Sequence, residues 1–395
     1  MVGQRDVVLL SGVRTGIGKF GGGLADVPPT ALGATVVREA VARAGVEPTE
    51  VDHAVFGNVI QTEPKDMYLA RVAAVEGGLP VETPALTLNR LCGSGLQAIV
   101  SAAQMVALGD ADIAVAGGAE CMSRGAYQLP RARWGLRMGD GEIVDAMVGA
   151  LTDPFHACHM GVTAENVARE YGITREDQDR LAVESHRRAA RAIAEGRFDE
   201  QVVPVEVTTR KGTVTFTGHE HVRPDVDLDA LARLKPAFDR DGTVTAGNAS
   251  GINDAAAAVV LADRDVAERR GLRPLARLVS YGFAGVEPRI MGVGPVPAVR
   301  AALDKAGLKV DDLDVIEANE AFAAQALAVI RELGLPEDRT NPNGSGVSLG
   351  HPVGATGAIL TVKALYELQR VDGRYALITM CIGGGQGIAA VIERL

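Results

Sequence analysis

The sequence has few aromatic residues and no long apolar run. Aromatic side chains make up 4 % of the 395 residues, with a single tryptophan, although 47 % of the residues are hydrophobic. A core with so few rings is built mainly from Ala, Val, Leu and Ile, which favours closely packed α/β layers. The longest purely apolar run, 255–262, is far shorter than the ~20 residues of a membrane-spanning helix. We therefore expect no membrane partner.

Cysteines are few and are not arranged for structural roles. Cys92, Cys121, Cys158 and Cys381 are widely spaced and form no Cys-x-x-Cys pair, so the sequence predicts neither a disulfide framework nor a zinc ribbon. The N-terminus lacks a charged leader followed by a long apolar region, and no secretory signal is predicted. These features together favour a cytoplasmic protein.

A positive net charge is also absent. The sum of 40 Lys and Arg against 50 Asp and Glu is −10, which argues against a dedicated nucleic-acid-binding protein. A local group of arginines could still bind a small anion, and Arg124, Arg131, Arg133 and Arg137 form one such group with no acid between them. A solvated loop of scattered charge explains the same pattern equally well.

Two local patterns imitate cofactor or metal sites. The glycines of 16–21 match the spacing of a dinucleotide-binding loop, but more glycines and Pro28-Pro29 follow where a helix would have to begin. His156, Cys158 and His159 lie close together, but no second pair of suitable spacing accompanies them. The sequence thus predicts no redox cofactor and no metal site.

Glycine is abundant, at 47 residues, and part of it marks an internal repeat. Segments 37–58 and 299–320 align without a gap, and each predicts an amphipathic helix, a glycine stop, a short acidic loop and an apolar strand. Glycine-rich segments that open a helix follow both copies, at 89–99 and 343–360. The chain is therefore predicted to contain two related α/β halves.

A stretch that lacks the repeat pattern, roughly 122–250, separates the halves. It includes a helix predicted over 174–195, with Thr174 as N-cap, Asp177 as its capping-box partner and Gly196 beyond the end. Long insertions on a rigid scaffold usually carry binding functions. The predicted domains are an N-terminal half over 1–121 completed by about 251–272, an inserted loop domain over 122–250 and a C-terminal half over 273–395.

Cys92 is the first residue with catalytic potential. It follows a predicted strand at 85–88 and lies where the small residues of 89–95 precede a helix. At a helix N-terminus the free N–H groups and the dipole favour a thiolate, so we expect a lowered pKa for Cys92. A buried cysteine that acts as a small hydrophobe is the alternative, and the local sequence does not decide between the two.

Two residues of the second half are possible partners of Cys92. His351 lies in the glycine-rich loop 343–357, and Cys381 ends the apolar run that leads into three glycines at 383–385. A pseudo-twofold repeat would bring these residues together with Cys92. A thiol beside a base is the arrangement that activates a nucleophile for acyl transfer, and a second thiol can donate and accept a proton.

Together these motifs resemble the thiolase family from about residue 5 to 395. The resemblance is carried by Asn89-Arg-Leu-Cys92-Gly-Ser-Gly95, Gly117-Gly-Ala-Glu120, His159-Met-Gly161, Thr245-Ala-Gly-Asn-Ala-Ser250-Gly251, Asn319-Glu-Ala-Phe322, Gly350-His351-Pro352 and Cys381-Ile-Gly-Gly-Gly385. Within the family the chain is most similar to bacterial biosynthetic-type β-ketothiolases (acetyl-CoA C-acetyltransferases). Cys121 departs from the usual serine, and Gly16 from the common alanine.

The resemblance implies a fold and an activity. The fold is α/β, with two βαβαβαββ halves in five layers (α-β-α-β-α), and the loop domain binds CoA and carries a tetramerisation loop at 139–147. The activity is reversible Claisen condensation of two acetyl-CoA, or of acetyl-CoA and a short acyl-CoA, to a 3-ketoacyl-CoA and CoA, as in polyhydroxyalkanoate precursor synthesis. Coenzyme A is then a substrate and product, and no further cofactor is implied. The alternatives are a degradative thiolase for longer chains in fatty-acid β-oxidation and a non-catalytic acyl-CoA-binding homologue.

The resemblance also implies a role for each site residue. Cys92 would take the acyl group while His351 accepts its proton, and Cys381 would exchange a proton with the α-carbon of the second acetyl-CoA. Asn319, through a water, and His351 would stabilise the enolate oxygen, while the N–H groups of Cys92 and Gly383 would hold the tetrahedral oxyanion. Arg223 would lie near the nucleotide end of the substrate, and Met160 and Met291 would affect the acyl length that is accepted. The full set of implied substrate-binding residues is Leu151, His159, Met160, Arg223, Ala246, Ser250, Met291, Ala321 and Phe322.

Overall fold

The computed structural model describes residues 5–395. In that range the β-strands are Val7–Thr15 (β1), Gly18–Lys19 (β2), His53–Gly57 (β3), Ala85–Leu88 (β4), Ile113–Cys121 (β5), Tyr127–Gln128 (β6), Val144–Asp145 (β7), Thr152–Asp153 (β8), Cys158–His159 (β9), Val202–Val203 (β10), Val205–Thr209 (β11), Gly212–Phe216 (β12), Asn253–Asp263 (β13), Ala276–Gly285 (β14), Val315–Ala318 (β15), Tyr375–Ile382 (β16) and Gln386–Arg394 (β17). The α-helices are Pro29–Ala44 (α1), Leu69–Glu76 (α2), Ser94–Leu108 (α3), Ala146–Ala150 (α4), Met160–Glu170 (α5), Arg175–Ala194 (α6), Leu228–Ala232 (α7), Arg264–Arg269 (α8), Pro295–Ala306 (α9), Ala323–Leu333 (α10), Gly346–Leu349 (α11) and Thr356–Arg370 (α12).

Each half of the chain contributes a mixed sheet. The N-terminal half has the strand order β4-β3-β5-β13-β1, and the C-terminal half has β15-β16-β17-β14. The two sheets are linked where β1 pairs with β14 at Val8↔Arg277 and Leu9↔Ala276. Strand β13 follows the insertion in sequence but pairs with β5 from Asp254↔Cys121 to Ala262↔Ile113. The N-terminal sheet is therefore completed by a strand that comes after the insertion.

The side chains of the two sheets alternate between a shared core and two outer cores. Ile378 of β16 packs into the shared core that holds α3 and α12, whereas the preceding Leu377 packs into the outer core of α9 and α10. On the N-terminal sheet, Leu9 faces the shared core and Val8 faces α1 and α2. The result is a five-layer α-β-α-β-α stack, and this confirms the predicted fold class.

The two central helices, α3 and α12, are held together by glycines. Each has 15 residues. A Cβ added to Gly95 would lie 2.8 Å from the backbone nitrogen of Ala358, and one added to Gly357 would clash with the backbone nitrogen of Leu96. Both helices therefore begin at one place in the middle of the molecule, where their N-terminal loops meet.

One segment, 91–108, is long and apolar enough by composition to cross a membrane, and more than half of it is buried. It consists mostly of α3, whose apolar side chains contact both sheets and α12. Its hydrophobicity is thus accounted for by the shared core. Serine and glutamine interrupt the apolar residues of this segment, so it is not among the purely apolar runs of the sequence.

The predicted repeat and the predicted insertion helix are both confirmed. Helices α1 and α9 end at Gly45 and Gly307, with φ values of 69° and 67°, and each is followed by a short 3₁₀ turn and a strand. The insertion helix is α6, whose N-cap Thr174 forms the predicted capping box with Asp177. The remaining insertion elements are short hairpins and helices that cover the edge of the core.

Candidate active site

A cavity of about 430 Å³ lies where the two halves and the insertion meet. All nine predicted substrate-binding residues line it, together with Cys92, His351 and Gly383. Cys381 and Asn319 lie outside this lining and are buried, with exposures of 0 % and 1 %. Further lining residues that the sequence analysis did not assign to substrate are Leu91, Met122, Ala150, His221, Ala237, Phe238, Ala249, Gly251, Ile252 and Val353.

Cys92 lies on a sharp turn between β4 and α3. The preceding residue, Leu91, has a φ of 45°, a left-handed conformation that costs energy for a branched side chain. The hydroxyl of Ser94 stabilises the turn, since it accepts from Arg90 N at 2.8 Å and donates to Leu91 O at 2.7 Å. At Gly93 an added Cβ would lie 2.5 Å from Ile382 Cδ1, so no larger residue fits. The turn thus presents the thiol to the cavity on a rigid support.

The pKa of Cys92 differs from the sequence-based expectation. Burial raises the pKa of this thiol to about 11, although the N–H groups of Gly383 and of Cys92 itself donate to the sulfur and oppose the rise. The expected lowering is wrong because α3 begins only at Ser94 and desolvation is the largest influence on the pKa of this thiol. Cys92 is therefore a thiol in the free protein and needs a base to become a nucleophile.

His351 is suited to be that base. Burial lowers the pKa of its imidazole to about 4, so the ring is neutral at pH 7. Its Nδ1 is 2.6 Å from Thr356 Oγ1, which in turn donates to Pro352 O at 2.9 Å. Both contacts are hydrogen bonds only if Nδ1 carries the proton, which leaves Nε2 as an acceptor. The backbone N–H of His351 donates to Asn253 Oδ1 at 3.0 Å and fixes the loop.

Asn319 lies directly against the imidazole of His351. Its Nδ2 is 3.5 Å from both ring nitrogens, and its Oδ1 is buried without a partner among residues 5–395. The residue follows β15, and the glycine at position 346 leaves room for its side chain, since an added Cβ there would lie 2.8 Å from Oδ1. An amide donor thus faces the cavity wall beside the proposed base.

Cys381 occupies the end of β16, behind the cavity wall. It belongs to the apolar cluster that contains Met160, Met291 and Phe322. Burial raises the pKa of its thiol, and negative charge on Cys92 raises it further. The two sulfurs are therefore close enough to influence each other, and a negative charge on one disfavours a negative charge on the other.

A glycine turn after Cys381 brings an N–H group to the nucleophile. Gly384 and Gly385 have φ values of 79° and 83°, which side chains disfavour. A Cβ added to Gly383 would lie 3.1 Å from Met160 Cε. Two backbone donors, from Cys92 and Gly383, thus point to the Cys92 sulfur, beside the place where the oxyanion of an acyl group attacked by Cys92 would form.

Glu120 joins the loops around the site and was seen in the sequence only as part of a motif. Its fully buried carboxylate accepts from Val59 N and Ile60 N at 3.0 Å each and from Gly354 N at 2.9 Å. These bonds tie the loop after β3 to the loop that carries His351. No sequence signal indicated this bracing role, because its partners Val59, Ile60 and Gly354 lie 60 to 234 residues from Glu120 in the chain.

Phe238 was missed for a similar reason. Its ring stacks on His159 at a centroid distance of 4.7 Å and meets the edge of Phe322 at 6.1 Å. Aromatic residues are scarce in this chain, but Phe238 lies in a segment without a periodic pattern, so the sequence did not predict that its ring faces the cavity. The three rings form one wall of the cavity.

Other predicted features lie away from the cavity. Arg131, Arg133 and Arg137 are exposed in the single chain, Arg124 pairs with Glu63 at 2.7 Å, and none of the four lines the cavity. His156 contacts Asp153 at 3.0 Å. Within residues 5–395, no group of three or more His, Cys, Asp or Glu is placed to hold a metal ion.

Comparisons with known proteins match the whole described chain. Residues 7–265 match the thiolase N-terminal domain, and residues 272–394 match the thiolase C-terminal domain. Beta-ketothiolase BktB of Cupriavidus necator is 68 % identical over 392 residues, which are 99 % of this chain and 100 % of that protein. The crystal structure of the Bacillus anthracis acetyl-CoA acetyltransferase has a TM-score of 0.98 at 48 % identity and covers 100 % of both chains. Human mitochondrial 3-ketoacyl-CoA thiolase in complex with CoA has a TM-score of 0.96 at 43 % identity, covering 99 % of this chain and 98 % of that one.

Proposed function

Because the chain belongs to the thiolase family, and so to the acyltransferases, we propose that it condenses two acetyl-CoA, or acetyl-CoA and a short acyl-CoA, to a 3-ketoacyl-CoA and CoA. The observation that carries the proposal is the Cys92 thiol, which lines the cavity with two N–H donors on its sulfur and shares that cavity with a neutral imidazole. The names of its relatives, a β-ketothiolase and acetyl-CoA acetyltransferases, support the same reaction.

In the first step Cys92 becomes acylated. Nε2 of His351 accepts the thiol proton as the sulfur attacks the carbonyl carbon of an acyl-CoA. The N–H groups of Cys92 and Gly383 stabilise the oxyanion, and one such donor is typically worth about 2.7–4 kcal/mol of barrier. The C–S bond to CoA then breaks, and the CoA sulfur takes the proton from His351. The products are free CoA and an acyl thioester on Cys92.

In the second step Cys381 forms the carbon nucleophile. The neutral imidazole of His351 accepts the Cys381 thiol proton, and the resulting thiolate removes an α-proton from acetyl-CoA. Asn319 and the protonated His351 stabilise the enolate oxygen. The carbanion attacks the Cys92 thioester, a C–C bond forms, and Cys92 leaves as a thiolate. His351 gives its proton to Cys92, so the cycle ends with two thiols and a neutral imidazole. The reverse sequence is thiolysis.

We propose that the CoA arm follows the cavity wall formed by the insertion and the loop after β15. Met160, Ala321 and Phe322 supply apolar contacts, Ser250 and His159 supply polar groups, and all five line the cavity. Coenzyme A is a consumed and released substrate in this scheme. The acyl-chain preference is measured by a thiolysis series from four to ten carbons, in which a maximum beyond six carbons would favour a degradative thiolase.

We further propose a homotetramer. Large apolar side chains are exposed on the arm between β5 and α4, including Trp134 at 84 % and Met138 at 98 % exposure. Such a patch typically marks a protein–protein interface. Light scattering after size exclusion is expected to give the mass of four chains. The proposed compartment is the cytoplasm, because the reaction needs Cys92 and Cys381 as free thiols, which a reducing environment maintains.

Thiolysis of acetoacetyl-CoA tests the proposed reaction. The protein is expected to convert acetoacetyl-CoA and CoA to two acetyl-CoA, and Cys92→Ala is expected to abolish the conversion because no thioester can form. Cys121→Ser, at a buried cysteine outside the cavity, is the control and should retain the activity. Near-normal turnover by Cys92→Ala would show that the proposed mechanism is wrong.

A further inference from the structure

A segment of the insertion, residues 219–223, borders the cavity and has no role in the steps above. His221 and Arg223 both line the cavity, and Arg223 is exposed. No carboxylate within residues 5–395 forms an ion pair with the Arg223 guanidinium. An exposed cation without an acidic partner at a cavity mouth suits the anionic end of a ligand.

Three hydrogen bonds hold this segment in place, and they are formed by residues 219, 221 and 223. His219 Nε2 is 2.7 Å from Nη1 of the fully buried Arg14. His221 donates to the carbonyl of Val347, in the short helix α11 that precedes the active-site histidine. The third bond runs from Arg223 N to Nδ1 of His186 at 3.1 Å. The backbone position of Arg223 is therefore set by the last of these bonds.

His186 is well placed to act as a fixed acceptor. It lies on the capped helix α6, is 3 % exposed, and does not line the cavity. Its ring is 6.3 Å from that of His221. Burial lowers the pKa of His186 to about 4, with the charges of His221 and Arg223 adding to the effect. At pH 7 the ring is thus neutral and accepts through Nδ1.

We propose that His186 is a positioning residue for coenzyme A. By accepting the Arg223 N–H, it holds the guanidinium of Arg223 at the cavity mouth, where it binds the phosphate-bearing end of CoA. This inference rests on the proposed function, since it presupposes that CoA occupies the cavity. His186 contacts neither the reacting atoms nor the acyl group, so it acts on substrate affinity and not on the chemical steps.

The test uses steady-state thiolysis by four variants: His186→Leu, which removes the acceptor, His186→Asn, whose Oδ1 can replace Nδ1, Arg223→Ala, and the double variant His186→Leu/Arg223→Ala. His186→Leu is expected to raise KM for CoA about 5- to 10-fold, the usual effect of one lost hydrogen bond, with kcat within about twofold. His186→Asn should keep KM within about twofold. Because both residues act through one guanidinium, the double variant should be no worse than Arg223→Ala.

Pantetheine in place of CoA supplies the internal control, because it has the same thiol and arm but no nucleotide. With pantetheine, none of the variants should change KM. An unchanged KM for CoA in His186→Leu, an equal rise with pantetheine, or additive effects in the double variant would each overturn the inference. If His186→Leu fails to fold, His186→Asn still tests the inference, because a KM for CoA raised as far as in Arg223→Ala would overturn it. Failure of the unmodified protein to cleave acetoacetyl-CoA would instead refute the proposed function.

Discussion

The two halves of the molecule share a scaffold but not their chemistry. Asp52 caps the strand β5 by accepting from Asp112 N and Ile113 N, and Asp314 caps β16 in the same way through Arg374 N and Tyr375 N. The first strand of each half is also tied alike to the following helix, by the Oγ bonds Ser11→Ala40 O at 2.6 Å and Ser280→Ala302 O at 2.7 Å. The internal repeat therefore determines the arrangement of strands and helices that the two halves share.

The differences lie at single positions within that frame. The nucleophile Cys92 lies two residues before α3, whereas the matching place before α12 is Gly354, where an added Cβ would clash with the Glu120 carboxylate. Cys381 is the seventh residue of its strand, and the seventh residue of β5 is Ala119. One half thus provides the acyl acceptor, and the other provides the base and the second thiol.

The largest effect is expected when the second thiol, Cys381, is removed from the C-terminal half. Cys381→Ala should reduce condensation about 10³-fold, because general acid–base catalysis of that size is lost, while acylation of Cys92 continues. Condensation can be followed as acetoacetyl-CoA formation. Cys158→Ala, at a cysteine outside the cavity lining, is the matched control and should stay within about twofold. Equal loss of acylation and condensation in Cys381→Ala would contradict separate roles for the two thiols.

A second test breaks the contact that joins the halves. Gly357→Ala places a methyl group against the backbone of Leu96, where neither helix can give way, and should destabilise the protein by about 3 kcal/mol. Urea unfolding monitored by circular dichroism measures the change. Gly149→Ala has no atom within 4 Å of the added carbon and a φ that is not left-handed, and should be neutral or slightly stabilising. Similar stabilities for the two variants would refute the close helix contact.

A third test concerns the hydroxyl of Thr356, the first residue of α12. Thr356→Val keeps the shape of the side chain but frees the imidazole of His351 to adopt the wrong tautomer, so kcat should fall about 10-fold, or about 1.4 kcal/mol. Thr361→Val is the control, because Thr361 is equally buried on α12 and bonds only to Gly357 O. If the two variants have the same kcat, Thr356 does not orient the base.

The last test concerns the pH dependence of Cys92. With a pKa of about 11, the thiolate fraction rises with pH and does not level off near neutrality. The rate of alkylation by iodoacetamide should therefore increase about 10-fold per pH unit from pH 7 to pH 9. Peptide mapping assigns the modified cysteine. A plateau below pH 8 would indicate that the dipole of α3, and not burial, controls this thiol.

Cys92, His351 and Cys381 could be predicted from the sequence because each lies within two residues of a glycine at a strand or loop end, whereas the role of Asn319 was implied by the family resemblance alone. The repeat was detectable because the helix, glycine stop and acidic loop recur without a gap at 37–58 and 299–320. Glu120, Phe238 and His186 had no such signal, since their partners are distant in sequence. The raised pKa of Cys92 was also beyond local reasoning, because burial depends on side chains from both halves.

Trapping of the acyl-enzyme tests the central claim most directly. The protein, Cys92→Ala and Cys381→Ala are each incubated with acetyl-CoA, quenched in acid and mapped by peptide mass spectrometry. The account predicts one acetyl group on the peptide that carries Cys92 in the unmodified protein and in Cys381→Ala, and none in Cys92→Ala. Acetylation of Cys381, or a lack of acetylation in Cys381→Ala, would contradict the assignment of nucleophile and second thiol to different halves.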